Sequence, residues 1–255
     1  MLLGGLVAGL FGSLLGLGGG VLIIPLLTLV FGVPMKEAIV TSLICVIATS
    51  CGAASLYVKK HLADIRLGMT LELATTIGAI VGGLVAGIIK PDVLAILFSL
   101  ILFYIALSMV RKRVKENLEG NPSAQKDYRI LNLPLGMGAS FFAGNISGLL
   151  GVGGGVIKVP VMYLKMGIPL RIATATSNFM IGVTATAGAF VYYARGEVNL
   201  LVSGATMIGV FFGALIGSRI LHLIKMEYLK KAFIIVLLYL SVEMLFKGLH
   251  LRFMF

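Results

Sequence analysis

The chain predicts an all-α polytopic membrane protein built of two inverted-topology repeats. Each repeat is a glycine-broken re-entrant helix pair followed by three transmembrane helices. Three observations predict this fold. The segment Leu14-Leu15-Gly16-Leu17-Gly18-Gly19-Gly20-Val21 returns 135 positions later as Leu149-Leu150-Gly151-Val152-Gly153-Gly154-Gly155-Val156. Composition is 59% hydrophobic and 12% charged, with a mean hydropathy of +1.07, so the solvent of most of the chain is a bilayer. Lys and Arg, finally, are distributed unevenly over the loops, as described below.

The repeat keeps its register well beyond the glycines. Pro25 matches Pro160, Gly32 matches Gly167, Pro34 matches Pro169, Thr41-Ser42 matches Thr176-Ser177, Tyr57 matches Tyr192, and Tyr104 matches Tyr239. Residues 1–111 form the first repeat, 112–131 a polar cytoplasmic linker and 132–255 the second repeat. In the first, a broken segment at 2–31 precedes spans near 36–58, 67–89 and 92–111. In the second, a broken segment at 133–166 precedes spans near 171–193, 198–220 and 228–248. Pro34 and Pro169 mark helix starts, since proline is tolerated before or within a first turn. The pairs Gly78/Gly82 and Gly213/Gly217 have the spacing of small-residue helix packing.

Topology depends on whether the broken segments cross the bilayer or turn back. Residues 2–15 and 21–31 are each long enough for about 18 Å of helix, which passes the middle of a ~30 Å hydrocarbon core without crossing it. With re-entrant segments, 15 of the 21 Lys and Arg residues fall on one side, 5 on the other, and Lys158 inside the membrane. Spanning segments divide them only 12 against 8. The positive-inside rule therefore favours re-entrance, which inverts the repeats and leaves both termini outside. The apolar start has no basic n-region and is not expected to be a signal peptide.

Glycines at membrane depth let the backbone take positive φ and approach a ligand closely. The helices beginning near Val21 and Val156 then offer free N–H groups and the positive ends of their dipoles to the midplane. Inversion makes two such termini converge, which describes an anion site. A helix terminus contributes at most about 2 kcal/mol to binding an anion, so further donors are required. The candidate substrate-binding residues are Gly18, Gly19, Gly20, Val21, Thr41, Ser42, Cys45, Asn145, Gly153, Gly154, Gly155, Val156, Lys158, Thr176, Ser177 and Asn178. Thr41, Ser42, Cys45 and Thr49 share one helical stripe, largely repeated by Thr176, Ser177, Asn178 and Thr184. Such hydroxyls also serve membrane helices as internal glue.

Lys158, whose counterpart is Ile23, is expected to lean back over its own glycine turn, because helical side chains point toward the N-terminus. A cation there needs an anion, either substrate or a carboxylate such as Glu72. With a substrate as partner, it would select divalent or carboxylate-bearing anions. Glu72 reads as a snorkelling or paired carboxylate, with proton coupling as the functional alternative. Glu243 and Lys247, one turn apart, read as an interfacial pair. Cys45 and Cys51 point to different sides of one helix, so no disulfide joins them. His61, His222 and His250 are scattered. No metal site, cofactor motif, nucleic-acid face or nucleophile–base pair is present, and the glycine runs lack the lysine and the βαβ context of nucleotide loops.

These residues resemble the TauE/SafE family, sulfite exporters and organosulfur-anion permeases. The resemblance rests on Gly16–Val21 with Pro25, Gly151–Val156 with Pro160, and the polar pairs at Thr41-Ser42 and Thr176-Ser177-Asn178. It implies a secondary carrier of sulfur-containing anions such as sulfite, thiosulfate, sulfonates or sulfoacetate-like compounds, and not an enzyme. The implied location is a prokaryotic cytoplasmic membrane. The partners expected are the anion and membrane lipid, with a homodimer as candidate assembly. A passive anion channel of the same architecture is the alternative.

Overall fold

The computed structural model describes residues 1–15, 19–59, 63–111, 128, 130–220 and 226–250. Gly18 and residues 112–127 and 129 of the linker lie outside the described residues, as do His61 and His222. All regular elements described are helices: α1 Leu2–Leu15, α2 Gly20–Pro25, α3 Met35–Lys59, α4 Ile65–Ile88, α5 Pro91–Arg111, α6 Leu133–Leu150, α7 Gly155–Leu164, α8 Leu170–Ala194, α9 Leu200–Ile220 and α10 Met226–Gly248. Among the described residues, α3, α4, α5, α6 and α9 are long and apolar enough to cross a membrane.

Local sequence accounts for the breaks. Gly19 and Gly154, equivalent by the repeat, precede α2 and α7 with φ of 76° and 68°, a region that only glycine enters without strain. Gly32 and Gly167 close the broken segments in the same left-handed conformation. Pro25 lacks an N–H and crowds the preceding turn, and the helix after it widens into a π turn over Leu26–Val30. Pro160 causes no such widening within α7. The first helix of the second repeat is also longer than the sequence-derived dozen residues: α6 has 18 residues, about 27 Å of helix, against 14 residues and about 21 Å for α1.

The two halves interlock reciprocally. α1 packs on α9, and its counterpart α6 packs on α4, the counterpart of α9. α3 packs on α8 and α5 on α10, each element against its own equivalent. Glycines bring the crossing backbones together. A Cβ on Gly144 would lie 2.0 Å from the Thr75 carbonyl oxygen, and one on Gly9 would lie 2.2 Å from that of Val210, the equivalent residue. Gly78 and Gly213 meet Phe141 and Leu6 in the same matched way. The small-residue packing expected of Gly78, Gly82 and Gly213 is thus present, and Gly217 is buried on the same helix as Gly213. Contacts of this kind suit a bilayer, where close approach replaces the hydrophobic effect between helices. Outward-facing Leu73, Ile77, Leu84 and Ile88 leave an apolar surface on α4.

Candidate functional site

The end of the first glycine turn meets the second turn in the buried interior. Gly20, the first residue of α2, lies so close to the turn after α6 that a Cβ there would stand 2.5 Å from the Gly151 carbonyl oxygen and 2.7 Å from Ser42 Oγ. Ser42 donates to that same Gly151 carbonyl at 2.8 Å. Gly151, Gly153 and Gly154 all have φ between 68° and 83°. Gly155 faces Ser177 Oγ, 3.1 Å from where its Cβ would lie. Ser177 is buried without a hydrogen-bond partner among the described residues, and the equivalent of Gly151, Gly16, lies outside them. Val46 and its counterpart Ile181 close over Gly20, Gly153 and Gly155. Gly19, Gly20, Val21 and Gly151–Gly155 are buried. The N–H groups of Gly154 and Val156 have no backbone acceptor among the described residues, as the sequence led us to expect of a half-helix start.

Other candidates do different work here. Thr41 Oγ1 lies 2.9 Å from Ser203 Oγ on α9, whereas Thr176 Oγ1 accepts the Asp64 N–H at 2.9 Å at the start of α4. Both threonines therefore stitch one half to the other. Asn178 donates to the Thr174 carbonyl of its own helix, while its backbone oxygen accepts Ser50 Oγ at 2.6 Å. The backbone of Asn145 abuts Gly82. Cys45 is wholly buried and Cys51 exposed, both free thiols, in agreement with their different helical faces.

Lys158 does fold back over its turn: its Cε lies 3.4 Å from where a Cβ on Gly154 would be. Its partner is Glu72 of α4. Lys158 Nζ stands 3.6 Å from Glu72 Oε2, with both side chains buried. Thr184 of α8 bridges them, accepting from Lys158 at 3.2 Å and donating to Glu72 Oε1 at 2.7 Å. Thr76 adds a longer bond to the same oxygen at 3.3 Å. Nothing in the sequence fixed the depth of Glu72; among the described residues, the membrane-embedded ammonium was the signal that a carboxylate should accompany it. Glu243 and Lys247 do not form the expected pair: Lys247 Nζ donates to the Thr28 carbonyl, and Glu243 faces Tyr239 one turn back.

Two polar clusters hold the ends of α4. At its C-terminal end Arg195 donates to the Gly83 carbonyl and pairs with Glu197 at 2.7 Å, while Lys36 donates to the Gly87 carbonyl at 2.8 Å. Late carbonyls of a helix favour such cations. At its N-terminal end Asp64 caps the Leu67 N–H and accepts from the Tyr128 hydroxyl. Burial, reinforced by that carboxylate, pushes the Tyr128 phenol upward.

Comparison with known proteins agrees with this architecture. The family model for "Sulfite exporter TauE/SafE" matches residues 1–244. The chain is 27% identical over 266 residues to the probable membrane transporter protein YunE of Bacillus subtilis, covering 96% of each chain. It is 26% identical over 234 residues to the probable membrane transporter protein YdhB of the same organism, covering 91% of this chain and 92% of that one. It is also 28% identical over 124 residues to the sulfite exporter TauE/SafE family protein 6 of Arabidopsis thaliana, covering 49% of this chain and 28% of that one. No solved structure matches. The chain belongs to the TauE/SafE sulfite exporter family of membrane transporters.

Proposed function

We propose that this chain is a secondary transporter of small sulfur-containing anions, such as sulfite, thiosulfate, sulfonates or sulfoacetate-like compounds, working by alternating access in a prokaryotic cytoplasmic membrane. The observation that carries this reading is the meeting of the two glycine turns, with Gly20 against Gly151 and the starts of α2 and α7 beside it. An anion there would receive backbone N–H groups of α2 and α7 and the hydroxyl of Ser177, with the Lys158 ammonium next to the second turn. The reciprocal packing of α1 on α9 and α6 on α4 supports two repeats related by a two-fold exchange, and the Lys/Arg distribution supports inversion with both termini outside. Burial of Gly19, Gly20 and Gly151–Gly155 favours a gated carrier, since an open pore would leave a wet path past them.

Purified protein in liposomes tests this. Labelled sulfite or thiosulfate uptake should saturate and be accelerated by the same anion on the far side. Flux that rises linearly, without trans-acceleration, would show a channel. Orientation is checked separately: with Asn121→Cys in a background lacking Cys45 and Cys51, an impermeant thiol reagent should label from the cytoplasmic side only, and labelling from outside refutes the inversion.

A further inference from the structure

We propose that the Lys158–Glu72 pair is an exchange site, in which the transported anion takes the place of the Glu72 carboxylate beside Lys158 while Glu72 binds a proton. The inference rests on the anion-transport reading above. It names the coupling ion and the residue that holds it.

The geometry is that of a pair built to open. The two charges lie 3.6 Å apart, beyond the 2.7–2.9 Å of a charge-assisted hydrogen bond. Glu72 Oε2, the oxygen nearer the ammonium, is buried with no hydrogen-bond partner among the described residues. Glu72 as a whole is only 6% exposed. Oε1 takes the hydrogen bonds from Thr184 and Thr76, whereas Oε2 is held to the ammonium by charge alone, and a competing anion can replace it there. Thr184 suits both forms of the carboxyl. Its single hydroxyl proton has two acceptors, Glu72 Oε1 at 2.7 Å and the Met180 carbonyl at 3.1 Å. When Glu72 is a carboxylate, Thr184 donates to it; when Glu72 is an acid, Thr184 turns to Met180 and accepts the acid's proton. The Lys158 stem against Gly154 places the ammonium between Glu72 and the turn where the anion is proposed to sit.

The balance closes. Lys158 faces one negative charge before the exchange, the carboxylate, and a monoanion such as methanesulfonate supplies one after it; the second charge of a dianion such as thiosulfate falls to the N–H groups at the starts of α2 and α7. A proton from water neutralises the displaced carboxylate, so no unpaired charge is left buried. Among the described residues, no other titratable group forms an ion pair or hydrogen bond with these two. α6 carries none along Leu133–Leu150. On α7 Tyr163 is exposed, and on α8 Tyr193 is exposed while Tyr192 bonds the Gly148 carbonyl. Arg171 stands at the start of α8 and Arg66, exposed, at the start of α4, away from Thr184.

The test uses thiosulfate and methanesulfonate, whose charge does not vary across the working pH range, added to purified protein in weakly buffered detergent solution. Binding is read from the rise in unfolding temperature and proton uptake from a pH-indicator dye. In the wild type each bound anion should bring a proton with it, and apparent affinity should weaken about tenfold per pH unit over the range in which the carboxyl releases its proton. Glu72→Gln should bind with an affinity independent of pH and take up no proton. Should that variant not accumulate, the pair replacement Glu72→Met with Lys158→Ile, which installs the residues of the other half, should likewise show no uptake. Anion binding by the wild type without proton uptake, or uptake that persists in either variant, overturns the exchange while leaving anion transport intact. Absence of any thermal shift with both anions overturns the anion reading itself, and the exchange with it.

Discussion

Lys158 and Ile23 occupy the same place in their repeats, four residues after the glycine that opens the second half of each broken helix, yet their surroundings have diverged. Around Lys158 stand Glu72 on α4 and Thr184 on α8. The positions equivalent to these are Met207 on α9 and Thr49 on α3. One corner of the exchange-symmetric fold therefore holds two buried charges bridged by a hydroxyl. In the other half the equivalent residues are a buried isoleucine, an exposed methionine and a threonine whose hydroxyl bonds the Val46 carbonyl of its own helix at 3.0 Å. The scaffold around both, with glycine crossings at Gly9 and Gly144 and left-handed turns at Gly19 and Gly154, is matched residue for residue. Symmetry thus builds the cradle, and its local loss supplies the charge. In the proposed carrier, treating two membrane sides alike needs the first, and coupling to a proton needs the second.

The largest effect should come from breaking that charge pair on one side only. Lys158→Ile restores the residue of the other half but leaves Glu72 buried without its cation, a situation that costs about 3–5 kcal/mol. Adding Glu72→Met removes the stranded charge, and exchange of a buried pair for apolar residues of similar size is close to neutral or stabilising. Thermal unfolding in one detergent should therefore rank Lys158→Ile well below both the wild type and the double variant. A single variant as stable as the double would show that the pair is not maintained in the folded protein, and would make the two corners equivalent.

A smaller difference is expected at the turns themselves. Alanine at either Gly19 or Gly154 must adopt positive φ, at about 1–2 kcal/mol. At Gly19 the new Cβ would find nothing nearer than the Ala8 carbonyl oxygen at 3.5 Å, whereas at Gly154 it would meet the Ala143 carbonyl oxygen at 3.0 Å and Lys158 Cε at 3.4 Å. Gly154→Ala should therefore lower transport more than Gly19→Ala, and should displace the ammonium as well as strain the backbone. Larger β-branched residues at both positions should abolish transport in protein that still reaches the membrane. Equal initial rates for the two alanine variants would mean that Lys158 does not serve the turn.

Much of this arrangement was legible in the sequence, because it is written in residues with few conformational choices. Pro34 and Pro169 directly precede α3 and α8, the glycines at 19, 151, 153 and 154 take positive φ, and Lys158 leans back as helical geometry demands. The repeat spacing alone located equivalent helices. What the sequence did not reveal was which neighbour each stripe meets. Thr41 and Thr176 sit on the expected helical face, yet they bond α9 and the start of α4 instead of joining Ser42 and Ser177 at the turns. A helical stripe fixes an angle on one helix, and the partner filling that angle is set by packing between elements far apart in sequence. Glu72, read as either a snorkelling or a paired carboxylate, is the paired one, and its depth follows from how α4 lies against α6 and α8.

The change smallest in shape is also the most diagnostic of how the charged corner differs from its counterpart. Thr184 makes its bonds to Lys158 and Glu72 through a single hydroxyl that Thr184→Val deletes with almost no change in shape. The loss leaves Glu72 Oε1 with only the 3.3 Å bond from Thr76, and an incompletely satisfied buried group costs about 1–3 kcal/mol. Thr184→Ser keeps the hydroxyl and should recover most of that loss. If the hydroxyl merely glued α8 to itself through Met180, valine would be tolerated and the pH dependence of anion binding would not move. If it bridges the pair, valine should shift that dependence toward higher pH, because a carboxylate that has lost a donor holds its proton more firmly. The sign of the shift, read on Thr184→Val beside Thr184→Ser, separates a bridging hydroxyl from a packing one even where the stability change is too small to rank.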